Sequence, residues 1–319
     1  MFLSDDKPLV SVITLVYNHE PFLHDYFNGI LIQKTDFKFE VIIHDDASTD
    51  NSAKIIKEYV DKYPDIFIPI FQTENQYSRG VKIGESFLYP KAKGKYIALC
   101  EGDDYWIDPL KLQKEADLLE KNSDCTMVYT NFNVVDQHSV PIHSLFHEKC
   151  IHKSRSGLLW EDLLVNSAFL MTLTTMCRIE LVECAPLYSF DYGLFLKASR
   201  LGKVIFLNEK TSNYRVHLNS VTHSRNVSIL RGKGDIIRLS EIYCALNGVV
   251  NNEYLESASF YKSIGYCVFR GIVKSTKKFE YLKLLFMYPK LIIHILMLMF
   301  VKVFRGGDFS ASVNDCKNK

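Results

Sequence analysis

The stretch Tyr96-Ile-Ala-Leu-Cys100-Glu101-Gly-Asp103-Asp104-Tyr-Trp106 constrains this chain more than any other. Its first five residues form an unbroken apolar run, the pattern of an interior parallel strand covered on both faces. Three carboxylates follow within four residues, and no alternation of polar and apolar positions accounts for them. Carboxylates about 4 Å apart repel by roughly 4 kcal/mol at an effective dielectric of about 20. Such a cluster raises a pKa, spreads apart or binds a cation. Ligands of open parallel sheets bind beyond the carboxyl ends of the strands, so the location suits a cation or ligand site. The plainer reading is an acidic loop that caps the next helix. Asp108-Pro109 already offers a cap residue followed by proline at the first helical position, which leaves Glu101, Asp103 and Asp104 without a structural task.

The rest of the chain supplies the sheet that this strand needs. Residues 10–16 are rich in β-branched side chains and break at Tyr17-Asn18-His19-Glu20-Pro21. Phe22, Tyr26, Phe27, Ile30 and Leu31 then recur at helical spacing. A second strand over 39–43 runs into His44-Asp45-Asp46-Ala47-Ser48-Thr49-Asp50. Its Ser, Thr and Asp suit a helix N-terminus ahead of the stripe Ala53, Ile56, Val60 and Tyr63. Further strands are expected over 66–71, 126–130 and 169–178, a short helix over 83–89, and a helix over 109–121 buried through Leu112, Ala116 and Leu119. Strand–helix alternation of this kind predicts an α/β protein with a doubly wound, mostly parallel sheet. The ends at Tyr17-Asn18, Asp45-Asp46 and 101–104 would then face one crevice. The chain has no Gly-x-Gly-x-x-Gly after its first strand and no Gly-Lys-Ser/Thr phosphate loop. A metal, rather than a glycine-rich loop, is therefore expected to neutralise the phosphates of any nucleotide.

Val10 to Asn18, Asp45-Asp46-Ala-Ser-Thr-Asp50, Gly94-Lys-Tyr-Ile-Ala and Glu101-Gly-Asp-Asp104, in that order, resemble the family 2 glycosyltransferases over about residues 8–220. The resemblance implies a GT-A fold in residues 1–225, with a nucleotide-sugar-binding half at 8–131 and an acceptor half at 132–225, followed by a helical extension at 226–319. It implies transfer of a sugar, with inversion, from a nucleotide diphosphate-sugar to a hydroxyl of a carbohydrate or lipid-linked acceptor, in surface polysaccharide or glycolipid synthesis. A UDP-sugar is the expected donor. Tyr17 would stack near the base with Asn18 beside it, and Asp46 would accept a hydrogen bond from a uracil-like edge. Glu101-x-Asp103 would stand for the family's Asp-x-Asp motif, Asp103 binding Mg²⁺ or Mn²⁺ directly and Asp104 lying alongside. Hard oxygen ligands suit those ions, whose role would be to offset charge on the leaving diphosphate. Glu at 101 departs from the pattern, although its longer side chain can still reach a ribose hydroxyl or a metal-bound water.

The acceptor half carries Ser189-Phe190-Asp191-Tyr192 and then Gly202-Lys203. Phe190 stands where the family often has an acid, so the resemblance leaves Asp191 as the candidate general base. Taken alone, Asp191 equally suits an N-cap for a helix over 192–200. Asn213-Tyr214-Arg215-Val216-His217 resembles the family's Tyr-Arg-x-His segment. In an extended strand Arg215 and His217 share a face. Arg215 would grip phosphate through its planar fork, and His217 would ligate the metal or touch the diphosphate, unless this is merely a solvated face. Arg79 is a further phosphate candidate. His138, His143, His147, Cys150 and His152 invite a zinc reading, but their spacing matches no common structural zinc pattern.

Net charge of +1 hides a division. From residue 262 onward there are eleven Lys/Arg and three acids, which leaves +8 there and −7 over residues 1–261. With the interrupted apolar stretch 284–301, this favours docking on an anionic membrane surface over a span; packing on the core or a homodimer contact are the alternatives. Eight scattered cysteines without a C-x-x-C pair, and a start unlike a signal peptide, point to the cytoplasm, with the enzyme peripheral on the inner face of the membrane. No nucleic acid polymer is expected as a partner. A sugar-phosphate nucleotidyltransferase and an inactive nucleotide- or carbohydrate-binding module are the competing functions.

Overall fold

The computed structural model describes residues 7–164, 168–183 and 190–217, with Phe279 and Leu282 as isolated positions. The chain divides into two units, Met1–Leu158 with Phe169–Ser220 and Leu159–Ala168 with Val221–Lys319. The first begins as alternating strands and helices: β1 (Val10–Val16), α1 (Leu23–Leu31), β2 (Phe39–Asp45), α2 (Ser52–Lys62), β3 (Phe67–Phe71) and β4 (Tyr96–Leu99). Next come β5 (Tyr105–Trp106), α3 (Lys111–Lys121), β6 (Cys125–Val135) and α4 (Leu145–His152). The second unit contributes α5 (Trp160–Leu164). The first resumes with β7 (Thr175–Arg178), α6 (Glu180–Glu183), α7 (Phe190–Leu201) and β8 (Lys203–Arg215).

One eight-stranded sheet runs in the order β3-β2-β1-β4-β7-β6-β8-β5. The first four strands are parallel, with Val16 opposite Asp45 and Ile13 opposite Leu99, so their carboxyl ends open on one side. β1, β2 and β4 were legible as short apolar runs because both of their faces are covered, whereas β3, at the sheet edge, is mostly half-buried. Val10, Val12, Val16, Val41, Ile43, Tyr96 and Ala98 share one core with Leu23, Phe27 and Ile30 of α1 and Ile56 of α2. The second half is mixed. β7 lies antiparallel to both β4 and β6, β8 is parallel to β6, and β5 closes the edge antiparallel to β8.

Four elements differ from the sequence reading. The helix expected over 83–89 is a single π turn, Gly84–Leu88, followed by a 3₁₀ turn, Tyr89–Lys91. Helix α3 begins at Lys111 rather than Pro109, because Asp108 Oδ1 accepts the Leu110 N–H (2.9 Å) in a turn ahead of it. Strand β6 continues to Val135, five residues beyond expectation, because β8 pairs along its length. The strand expected over 169–178 is confined to Thr175–Arg178, after a 3₁₀ turn at Thr172–Thr174.

Two contacts fix what the site rests on. A Cβ on Gly29 would lie 2.6 Å from the carbonyl oxygen and 2.7 Å from the nitrogen of Trp106, so only glycine lets α1 reach β5. Trp106 is buried, donates Nε1–H to the Leu173 carbonyl (3.0 Å), and carries Lys111 Nζ 5.1 Å above its ring. That lysine is fully buried with Glu115, 2.5 Å away. Among the described residues no helix is long and apolar enough to cross a membrane. The basic, apolar segment over 262–319 and the expected helices over 226–305 lie outside the described residues, Phe279 and Leu282 apart.

Candidate active site

The floor of the crevice is made where the turns after β1 and β2 are tied together. Asn18 and Ala47 take left-handed backbone angles (φ 55° and 59°), which reverse the chain just past each strand. Ser48 Oγ accepts the Asn18 N–H, Ser52 Oγ the His19 N–H and Asp50 Oδ2 the Glu20 N–H, at 2.9, 2.9 and 3.0 Å. In return Asn18 Oδ1 accepts the Thr49 N–H (2.7 Å), and Glu20 accepts both the backbone and the side-chain N–H of Asn51. The residues expected to cap α2 therefore brace the β1 turn as well. Tyr17, at the rim, is 46% exposed and open to stacking.

The acids after β4 sit in three different environments. Burial, then the charges of Asp103 and Asp191, push the Glu101 carboxyl up to about 8. For Asp103, burial alone would raise the pKa, but His19 and His217 together hold it below the usual carboxylate value. Asp103 Oδ2 lies 3.0 Å from His217 Nε2 and 3.9 Å from His19 Nε2. Asp104 is buried, its Oδ1 accepts the Arg215 N–H at 2.7 Å, and its pKa is raised well above normal by burial and by its two acidic neighbours.

Arg215 joins the parts. Its side chain is 1% exposed. Nε donates to the Asp103 carbonyl (2.9 Å), one terminal nitrogen to Ser139 Oγ (2.9 Å), and the other to Asp25 Oδ2 in α1 (2.7 Å). The guanidinium also lies 4.8 Å from the Phe22 ring centroid and 5.1 Å from that of Tyr105. Phe22 packs in turn on His217, ring centroids 4.7 Å apart. Arg215 and His217 do share a neighbour, as strand alternation implied, and that neighbour is Asp103.

This geometry redistributes the expected roles. Arg215 does not present a free fork for phosphate; its donors are engaged within the chain, and it braces the Asp103 loop. Asp104 has the structural task that spacing alone did not reveal. The Asn18 side-chain oxygen Oδ1 is occupied by the Thr49 N–H. Both Asp46 oxygens accept N–H groups, from Gln76 (2.7 Å) and Tyr77 (3.0 Å), so Asp46 orders the 75–80 loop. Arg79, in that loop, pairs with Glu74 at the surface. Asp191 is exposed in the first turn of α7, accepts the Tyr192 N–H (2.6 Å), and is near enough to Glu101 for its charge to bear on that carboxyl. Of the histidines that invited a zinc reading, His143 pairs with Glu148 and His147 Nε2 lies 3.0 Å from Asn131 Oδ1. Sequence reasoning missed His19 and Asp25; the first was visible as an imidazole at the same strand end as Tyr17.

The donor set fits a divalent cation. An ionised carboxylate oxygen and an imidazole nitrogen 3.0 Å apart match neighbouring ligands of an octahedral ion, which lie about 3.0 Å apart when each is about 2.1 Å from the metal. Among the described residues no group of three or more His, Cys, Asp or Glu side chains is preassembled to hold an ion. Asp103 and His217 are the pair in place.

Comparison with known proteins gives the class. Residues 11–174 match the sequence model described as glycosyl transferase family 2. The chain belongs to that family, and its fold is the GT-A fold. An uncharacterized protein of Mycobacterium tuberculosis is 31% identical over 228 residues, 67% of this chain and 61% of that protein. The chain thus spans less than two thirds of that relative's length. The putative teichuronic acid biosynthesis glycosyltransferase TuaG of Bacillus subtilis is 28% identical over 224 residues, 69% of this chain and 83% of TuaG. Among solved structures, S. aureus TarS 1–349 in complex with UDP-GlcNAc superposes with a TM-score of 0.62 at 19% identity, covering 92% of this chain and 80% of that one. The mannosyltransferase PcManGT of Pyrobaculum calidifontis, in complex with GDP-Man and Mn²⁺, gives 0.51 at 15% identity, covering 98% and 88%.

Proposed function

We propose that the protein is a divalent-metal-dependent, inverting glycosyltransferase that takes its sugar from a nucleotide diphosphate-sugar and serves cell-surface polysaccharide synthesis. The observation that carries this reading is the Asp103–His217 pair at the end of β4, facing the β1 and β2 turns in a chain of this family. TarS bound to UDP-GlcNAc and the teichuronic acid name of TuaG support a UDP-sugar and a polymer acceptor; PcManGT with GDP-Man and Mn²⁺ supports the metal. Tyr17 would be the platform for the base. Asp46, whose oxygens keep lone pairs beyond the two N–H groups they accept, would receive a base N–H. Asp103 and His217 would hold the cation, which when bound offsets charge on the diphosphate.

The remaining work falls to the chain's own groups. Glu101, whose carboxyl burial and neighbouring acids push up to about 8, can in its protonated form donate a hydrogen bond to a donor hydroxyl. Asp191 takes the proton from the acceptor hydroxyl as its oxygen bonds to the anomeric carbon and the bond to the diphosphate oxygen breaks. Attack from the face opposite the leaving group inverts the centre. The transition state has oxocarbenium character, as in other glycosyl chemistry. Anionic-surface docking by 262–319 belongs to this proposal, as does a cytoplasmic position on the membrane.

A panel of UDP-, GDP- and dTDP-sugars, assayed for diphosphate release with and without cell-wall glycan acceptors, tests the activity. Nucleoside diphosphate released from one donor in an acceptor-stimulated manner is the expected result. Pyrophosphate release would instead indicate a nucleotidyltransferase, and binding without release an inactive module.

A further inference from the structure

We propose that the turn after β6 and the start of α4 form a membrane-docking surface, whose apolar side chains seat at the headgroup–acyl boundary of an anionic phospholipid layer beside the candidate site. Val140, Ile142, Leu145 and Phe146 are 55, 41, 64 and 43% exposed. No other stretch of seven residues among those described exposes more than two large apolar side chains. Single exposed apolar residues are ordinary, whereas a run of them marks a surface that meets something. The run is held in place. Asp136 Oδ1 accepts the His138 and Val140 N–H groups (2.8 and 2.9 Å), and the Ile142 N–H returns to the Val134 carbonyl (3.0 Å). Ser139 takes a left-handed backbone angle (φ 64°), and Ser144 Oγ accepts the His147 N–H to cap α4. Phe146 packs edge-on against Phe169, with ring centroids 5.6 Å apart.

Charge and area select lipid as the occupant. Residues 137–155 carry Lys149, Lys153 and Arg155 against the single acid Glu148, with four histidines, although residues 1–261 as a whole carry −7. Glu148 is itself paired with His143 at 2.9 Å. An apolar strip with a basic fringe, on an otherwise acidic stretch of chain, suits an anionic lipid surface. A lasting protein contact takes about 800 Å² and about 20–30 residues on each side. Four side chains within seven residues fall well short of that. Partition into lipid has no such threshold, because each apolar group contributes as it is buried. The same turn supplies Gln137, His138 and Ser139 to a cavity of about 750 Å³, whose other walls include Phe22, Arg215 and His217. Docking there sets the cavity at the lipid surface, where an acceptor carried on a lipid would arrive. The lipid-linked acceptor rests on the transferase reading; the docking surface does not. It is also separate in sequence from the basic segment 262–319.

The test uses the full chain carrying Leu145→Trp, with vesicles of phosphatidylglycerol and phosphatidylcholine, plain or with brominated acyl chains. Trp106 and Trp160 are buried, so wild type gives the baseline. Vesicles should blue-shift the emission of Leu145→Trp, and brominated lipid should quench it at least about twofold more than it quenches wild type. The double change Ile142→Ser with Leu145→Ser should bind anionic vesicles at least about 10-fold more weakly, with an unchanged unfolding midpoint and unchanged diphosphate release in the absence of lipid. Sedimentation with vesicles but no extra quenching of Leu145→Trp, or undiminished binding by the serine pair, means that another part of the chain docks, and overturns the proposal. An emission shift that needs no vesicle and grows with protein concentration makes the strip a contact between copies of the chain, and overturns it too. Failure to sediment with any vesicle overturns it together with docking by 262–319, and diphosphate release without lipid then leaves the transferase reading standing.

Discussion

Asp103 holds two positions through two atoms. Its carboxylate meets His217, and its carbonyl is fixed by Arg215. Substitutions should separate these duties. Asp103→Asn keeps the carbonyl contact and nearly the same shape, so diphosphate release should fall by orders of magnitude while the unfolding midpoint changes little. Turnover that survives both this change and a chelator would remove the metal from the mechanism. Arg215→Lys should do something different. A point charge cannot replace a planar fork that reaches Ser139, Asp25 and the 103 carbonyl together, so stability should drop by about 2 kcal/mol or more along with activity. Thermal unfolding beside the release assay distinguishes the two. Asp191→Asn should cost about 10²–10⁴-fold in transfer, with donor binding intact. Near-normal transfer would reduce Asp191 to the helix-capping role. At this scale the sequence disclosed residue types well and duties poorly. Asp103 and His217 were legible as a carboxylate and an imidazole at strand ends, and the structure brings them together. Arg215 looked like a phosphate grip because its acidic partner, Asp25, is 190 residues away and carries no mark of the pairing.

Among the elements, α1 and α2 were legible from their apolar stripes, and α3 from Leu112, Ala116 and Leu119. The sequence did not reveal what else α3 buries. Lysine followed four residues later by glutamate is the pattern of a solvated surface pair. Here Lys111 and Glu115, one turn apart in α3, are both fully buried, with Lys111 Nζ 5.1 Å above the Trp106 ring. Burial pushes Glu115 from 4.5 up to about 7 in spite of the lysine. Between those values the folded chain holds a proton that the unfolded chain releases. The stabilising contribution is therefore full below about 4.5 and is lost as pH rises through about 7. Lys111→Met leaves the carboxylate alone, so it should destabilise by about 3–5 kcal/mol at pH 8 and by less at pH 5, where Glu115 is protonated. The double change Lys111→Met with Glu115→Leu should recover most of that loss and flatten the pH dependence. Equal penalties at the two pH values would show that Glu115 is already neutral, or that the lysine is dispensable. Gly29→Ala addresses the other contact. Its methyl would meet Trp106 backbone at 2.6 Å, so α1 must move off β5, at a cost of about 1–3 kcal/mol measured by denaturant unfolding.

For the molecule as a whole, most of the parallel half of the sheet follows from local order, since α1 joins β1 to β2 and α2 joins β2 to β3, whereas β4 crosses back to lie beside β1. The mixed half could not be read that way. β7 inserts between β4 and β6, and Tyr105 pairs with Asn213, partners no local pattern specifies. The charge division remains a proposal about partners. Full-length protein should sediment with anionic liposomes at low salt and be released at high salt, each basic residue near the surface contributing about 1 kcal/mol. Changing Lys274, Lys277, Lys278 and Lys283 to Gln should weaken that binding. Equal binding to neutral and anionic liposomes would exclude electrostatic docking.

The clasp formed by Asp103 with Arg215 and His217 also bears on how the protein is made. Its two sides lie 112 and 114 residues apart in the chain. A ribosome that has released residues 1–202 has delivered every strand of the parallel block, and none of β8. Contacts of such long sequence separation form late, after local units have condensed. During synthesis the carboxylates at 101–104 are consequently present well before the arginine that braces them and the histidine that completes the pair. The candidate site is thus the last part of this unit to be assembled. Nascent chains arrested before residue 203 and given pulse-labelling by deuterium should protect the amides of β1 and β2, and leave those of 103–106 open.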